Sequence, residues 1–237
     1  MTLTMTSPPP VRAASGRRRS VTVAMCACVL VAQSLVAAMN LAIPKIAASG
    51  LHPSPAQLLW IVDTYVLVFA GLLIPAGALG DRFGRKGVLL TGLGVFAAGT
   101  LLSALANGLP VLLAGRAVSG AGAALLVPAT MSVLLHAAPP GRTAGAVAAW
   151  STAAGLGGMA GNAGGALILQ YLPWQALFGA YVPLGLALLA WVAAVAPRVP
   201  GRPRCSTCPA RHCWSSARRR CSSASSRAPG WAGPPRR

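Results

Sequence analysis

Acidic side chains are almost absent from this chain: its 237 residues include two aspartates, Asp63 and Asp81, and no glutamate. Charged residues of both signs make up only 9% of it, against 55% hydrophobic, a balance that could hardly supply a water-facing globular surface. Cysteine is missing between Cys28 and Cys205, which argues against a secreted disulfide scaffold, and Cys26 and Cys28 lie too close on one helix to bridge each other readily. Catalytic clusters are lacking as well. Each aspartate stands alone, and His52, His136 and His212 fall in predicted loops or tail, so an enzyme is disfavoured.

What is present is a formal charge of +18 and a series of long apolar runs. Twenty lysines and arginines would ordinarily point to nucleic acid, but they lie mainly between apolar runs or beyond them, the pattern of membrane topology, and no specific nucleic-acid partner is expected. Six runs have the roughly 20 residues with which a helix crosses hydrocarbon. They are Val21 to Ile43, Gln57 to Leu79, Gly87 to Ala106, Val111 to Leu135, Thr143 to Leu169 and Gln175 to Ala196. In lipid each backbone amide must bond within its own segment, so these runs predict helices rather than strands. The expected fold class is an all-α integral membrane domain over 21–197 with six transmembrane helices and the lipid bilayer as its solvent.

The connecting segments are short. Pro44 to Ala56 reads as a loop on the far side, Gly80 to Lys86 as a tight basic turn, and His136 to Arg142 as a loop around Pro139-Pro140-Gly141. Residues 1–20, which end in Arg17, Arg18 and Arg19, lack apolar periodicity and predict a disordered basic arm. Four lysines and arginines fall in that arm, three in the second-to-third loop, one in the fourth-to-fifth loop and ten from Arg198 onward, with Lys45 alone in a far-side loop. Both termini are therefore expected in the cytoplasm, and the chain in the cell membrane as a multi-pass protein.

Residues 198–237 change character, with Arg, Pro, Ser and Cys prominent and no acid, and predict a disordered tail. Most of these residue types have codons rich in G and C, which suggests a frame change in a GC-rich gene. Cys205-x-x-Cys208 with His212 and Cys213 has the look of a zinc site, but no apolar staple surrounds it, and neither metal nor cofactor is expected.

The most specific local pattern is Gly77-Ala-Leu-Gly80-Asp81-Arg82-Phe-Gly84-Arg85-Lys86. Gly84 permits a sharp reversal, Arg85 and Lys86 hold the loop at the cytoplasmic face, and Asp81 is expected just before the third helix, where a carboxylate is favoured. Two further charges lie inside spans. Arg116 sits six residues past Pro110, on the order of 9 Å along its helix. At that depth it needs a carboxylate, a carbonyl or a water-filled cavity, unless it snorkels outward. Asp63, six residues past Gln57, is the only acid within a span. The two should share a depth; depth leaves open whether they touch. Asp63 is either a structural residue or the one carboxylate able to bind and release a proton inside the membrane.

The loop pattern resembles the signature of the major facilitator superfamily at each of its defined positions. Leu112-x-x-x-Arg116-x-x-Ser119-Gly120-x-Gly122 is similar to that family's fourth-helix motif, with Ser119 in place of glutamine. Leu59-Trp60-Ile61-Val62-Asp63-Thr64-Tyr65 resembles its fourteen-helix drug:proton antiporter branch, and Gly157-x-x-x-Gly161-Asn162-x-x-Gly165 is similar to its antiporter signature, with Asn162 in place of proline. Leu35 stands where many members have an aspartate, and Gln175, Ala176 and Tyr181 depart from the stretch before the sixth helix. The resemblance is read over 21–197. It implies the N-terminal six-helix half of a transporter, with Asp63 and Arg116 as coupling groups, protons and a lipophilic or cationic small molecule as ligands, and Gly157, Gly161 and Gly165 as a helix-packing face. In the family the loop aspartate faces the other half, so a second copy or a separate C-terminal half is the implied partner. Two other readings stay open: an inactive fragment, and a membrane-anchored binding or regulatory protein using its basic ends.

Overall fold

The computed structural model describes residues 11–49, 53–139 and 141–195, all helices and short turns. The helices are α1 Val11–Ala47, α2 Pro55–Phe83, α3 Arg85–Ala104, α4 Leu109–Ala137, α5 Thr143–Tyr171 and α6 Trp174–Val195. Five of them are long and apolar enough to cross a membrane. The exception, α5, matches them in length and holds no charged residue, but glycine and alanine replace the large aliphatic side chains that give the others their apolarity.

Three expectations are corrected. First, α1 begins at Val11 and takes in Arg17–Arg19, so at least half of the expected arm is helical. Alanine and arginine are good helix formers, and extending an existing helix needs no new nucleus. Second, Pro44 does not end the helix but lies inside it, with the Ala48 amide donating to its carbonyl at 3.0 Å. Lys45 Nζ then donates to the Leu172 carbonyl at 3.1 Å, tying that end of α1 to the α5–α6 corner. Third, the seven-residue turn Gly80 to Lys86 contracts to one residue. Asp81, Arg82 and Phe83 all fit a helix, so α2 continues through them until Gly84 turns the chain at φ 91°, a value that side chains oppose. Asp81 therefore occupies the last turn of α2, not the entry to α3. Its side chain, the N-terminal ten residues and the tail with Cys205, Cys208, His212 and Cys213 lie outside the described residues.

The start of α2 is well specified: Ser54 accepts from the Gln57 amide at 3.4 Å while its own amide donates to Gln57 Oε1 at 2.8 Å, with Pro55 in the first turn. The most extensive helix contacts are α3 with α4, α1 with α5, and α2 with α4. Lipid offers no hydrophobic force to join helices, so close backbone approach has to supply the attraction. On α5, Gly157, Gly161 and Gly165 lie against Leu30, Ser34 and Ala38 of α1, each set at four-residue spacing. A Cβ at Gly157 would come within 2.5 Å of the Leu30 carbonyl oxygen, and one at Gly161 would strike the Ser34 main chain. The α3–α4 seam repeats the device: Gly99 abuts the Ser119 main chain and Gly122 that of Phe96. Around the bundle, large apolar groups face outward, Ile74 being 85% exposed, as a lipid solvent requires.

Gly161→Ala is expected to lower the stability of the detergent-solubilised chain by about 1–3 kcal/mol, because the α1 main chain must move away. Gly164→Ala, where a Cβ meets nothing within 4 Å, should be neutral or stabilising by up to about 1 kcal/mol. Equal shifts in unfolding midpoint for the two would disprove the interlocked seam. Gly84→Ala should cost on the order of 1–3 kcal/mol in the same assay through backbone strain alone.

Candidate functional site

Arg116 is the largest fully buried side chain among the described residues, at 0% exposure, which rules out the snorkelling placement. Its helix is opened to neighbours by small residues on two sides. Gly120 lets α2 approach until a Cβ there would lie 2.6 Å from the Tyr65 carbonyl oxygen, while Gly115 accommodates Ser103 of α3. Close approach of α2 brings two groups to the guanidinium. Nε donates to the Ile61 carbonyl at 3.1 Å, and Cζ lies 4.6 Å from the centroid of the Tyr65 ring. Tyr65 is itself stacked on Phe69, one helical turn on, with ring centroids 6.3 Å apart. Nη1 is buried and finds no hydrogen-bond partner.

The cation is thus held by a main-chain oxygen and an aromatic face. A carbonyl already used by its own helix has a second lone pair to offer, and a ring face stabilises a desolvated guanidinium by about 2 kcal/mol or more. Asp63 shares the depth expected of it but not the direction. At 100° per residue it is turned roughly 200° from both Ile61 and Tyr65, and it lies exposed on the outer side of α2. No ion pair joins it to Arg116. The structure instead places Asp63 midway between the two α2 residues that hold Arg116.

The loop motif forms a second centre at the opposite ends of α2 and α4. Gly77, Gly80 and Arg85 line a cleft of about 220 Å³ with Pro128, Ala129 and Ser132. Arg85 Nη1 contacts the His136 ring, Lys86 Nζ donates to the Ala193 carbonyl of α6 at 2.8 Å, and the exposed Arg82 sits 5.1 Å over Phe83. His136, expected in a loop, belongs to the last turn of α4. Among the described residues no cluster of His, Cys or Asp could hold a metal.

Tyr65 and the glycines Gly92, Gly99 and Gly115 are the residues sequence reasoning did not single out. The glycines did leave a trace: Gly92 and Gly99 are seven apart, as are Gly115 and Gly122, the spacing of one helix face along two turns. Tyr65 closes the Leu59–Tyr65 pattern, but its pairing with Arg116 left no trace, because that depends on which side of α2 meets α4. A double-mutant cycle of Tyr65→Leu and Arg116→Leu in unfolding assays should give a coupling of about 0.5–2 kcal/mol, whereas Tyr65→Phe should retain most of it. Additive effects would show that the stacking contributes nothing.

The Major Facilitator Superfamily profile matches residues 25–220, so the similarity continues past residue 197, where the motif resemblance was expected to stop. The chain is 36% identical over 156 residues to the tetracenomycin C resistance and export protein of Streptomyces glaucescens, covering 66% of this chain and 28% of that one. It is 38% identical over 149 residues to the multidrug efflux pump LfrA of Mycolicibacterium smegmatis, covering 62% and 29%. To the methylenomycin A resistance protein of Bacillus subtilis it is 34% identical over 173 residues, covering 71% and 37%. Among solved structures, the proton:xylose symporter XylE superposes with a TM-score of 0.70 at 16% identity, over 78% of this chain and 46% of that one. A peptide transporter POT bound to sulfate gives 0.69 at 18%, over 87% and 44%. This chain thus spans about a quarter to two fifths of the length of the curated relatives, and under half of the structural ones. A six-helix bundle with the loop signature at its α2–α3 corner, an arginine buried in α4 and a profile match over most of its length is a multi-pass protein of the cell membrane, and it belongs to the major facilitator superfamily, a family of transporters rather than enzymes.

Proposed function

We propose that this chain is the N-terminal half of a proton-coupled exporter of lipophilic or cationic small molecules, of the fourteen-helix drug:proton antiporter branch, with both termini in the cytoplasm. The observation that carries the reading is Arg116, a fully buried cation with an unmet donor, set in a bundle whose only spanning acid is Asp63. The names of two relatives, a resistance and export protein and a multidrug efflux pump, support efflux as the direction of transport. Lysine and arginine at the α2–α3 corner and at the start of α5 support the orientation.

Coupling passes through α2 as a body. Ile61, Asp63 and Tyr65 belong to about one turn, so a shift of α2 that follows the charge on Asp63 also moves the carbonyl and the ring that hold Arg116. Protonated Asp63 favours one access state; the ionised form, compensated by a cationic substrate or by a rearranged Arg116, favours the other. Because family transporters place the substrate between two six-helix halves, the reading requires a second half, supplied by another copy in parallel or by a separate C-terminal chain.

The test is dye export from proteoliposomes under an imposed proton gradient, with this chain alone and with a co-expressed C-terminal half. Asp63→Asn should remove the gradient-dependent component, and Asp63→Glu should restore part of it. Arg116→Lys should weaken export, since an ammonium cannot lie flat on Tyr65 and reach the Ile61 carbonyl with one rigid fork. Gradient-driven export unchanged by Asp63→Asn rules out this coupling group. Loss of export on deleting 198–237, with the six helices intact, would favour instead a binding protein that acts through its basic end.

A further inference from the structure

His136 in the last turn of α4 meets Arg85, the first residue of α3. Arg85 Nη1 lies 2.7 Å from its Nδ1 and 3.3 Å from its Nε2, and Nδ1 also lies 2.9 Å from the Ser132 carbonyl oxygen. A guanidinium carries donors only, so the imidazole must offer it a bare nitrogen. Either neutral tautomer does so. With the proton on Nε2, Nδ1 accepts from Arg85 at 2.7 Å; with the proton on Nδ1, that nitrogen donates to Ser132 and Nε2 accepts at 3.3 Å. An imidazolium has no acceptor left and sets a second cation against the guanidinium.

We propose that the Arg85–His136 contact is a proton-operated latch between the loop motif and the end of α4, closed by a neutral ring and released when that side of the membrane acidifies. It is independent of the transport reading and of Asp63. The corner it fastens is inherently loose: Gly84 is the whole connection between α2 and α3, and it supplies no side-chain cap to α3. What holds the start of α3 to the bundle includes Arg85 on α4 and Lys86 Nζ on the Ala193 carbonyl of α6. Arg85 and Ser132 both line the cleft beneath the corner.

Among the described side chains, the charged groups contributed by the surrounding elements are Lys86 of α3, Arg82 of α2 and Arg142 at the start of α5. All are cations, and none could hold an imidazolium in place. The one acid nearby in the chain is Asp81 in the last turn of α2, whose side chain is not among those described.

Hydrogen exchange of the chain in lipid nanodiscs at about pH 8 and about pH 5, corrected for intrinsic rates, tests this. Amides in 85–89 and 133–138 should lose about fivefold in protection at the lower pH, the size expected for one hydrogen bond of about 1 kcal/mol. His136→Gln, which keeps an acceptor that does not titrate, should retain the high-pH protection at both values, and Arg85→Gln should abolish the difference. A measurement on the unaltered chain stands beside these: the ring-nitrogen NMR signals of His136 should titrate with the same midpoint as the change in protection. The same pH dependence in His136→Gln as in the parent, or a ring that titrates without any change in exchange, overturns the latch.

Discussion

Helices immersed in lipid gain nothing from hiding their apolar sides, so this bundle depends on backbones that come close enough for main-chain atoms to attract one another. Glycine makes that approach available along two seams. Gly157, Gly161 and Gly165 seat α5 on α1, while Gly99, Gly115 and Gly122 seat α3 on α4. A third approach, at Gly120, brings α2 against α4. Larger side chains at these positions would separate the helices, and the groups that line the centre of the bundle would no longer meet.

The buried guanidinium follows from that geometry. A charge taken out of water needs compensation, and Arg116 finds it in the Ile61 carbonyl and the Tyr65 ring, both delivered by the α2–α4 approach. Its Nη1 finds no hydrogen-bond partner among the described residues. Asp63 stands between both partners in the chain but faces the other side of α2, so the two charged groups do not meet.

Much of the architecture was legible from composition and spacing. Lipid sets a minimum length for every span, and loops with Pro, Gly and basic residues punctuate the runs, so the approximate positions of the helices follow from uncharged length and punctuation together, α5 being less apolar than the others. Ends were less legible. Pro44 continues α1, and the α2–α3 turn shrinks to Gly84, because a helix stops where its neighbours and its strongest breaker allow, and not where its apolarity fades. The arginine was found because a charge in a span is expensive. Its aromatic partner was missed because tyrosine in an apolar helix carries no such mark.

The sequence by itself determined that the chain is a membrane protein, the six helices among the described residues, its family through the Gly77–Lys86 signature, and the two charges that fall within apolar runs. Only tertiary structure decided that Asp63 faces outward while Arg116 faces Tyr65, that His136 meets Arg85 fifty-one residues away, and which glycines bear a neighbour and which face open space. The reason is rotational: hydropathy records how deep a residue lies along a helix, whereas its direction around the axis is set by which helices pack beside it.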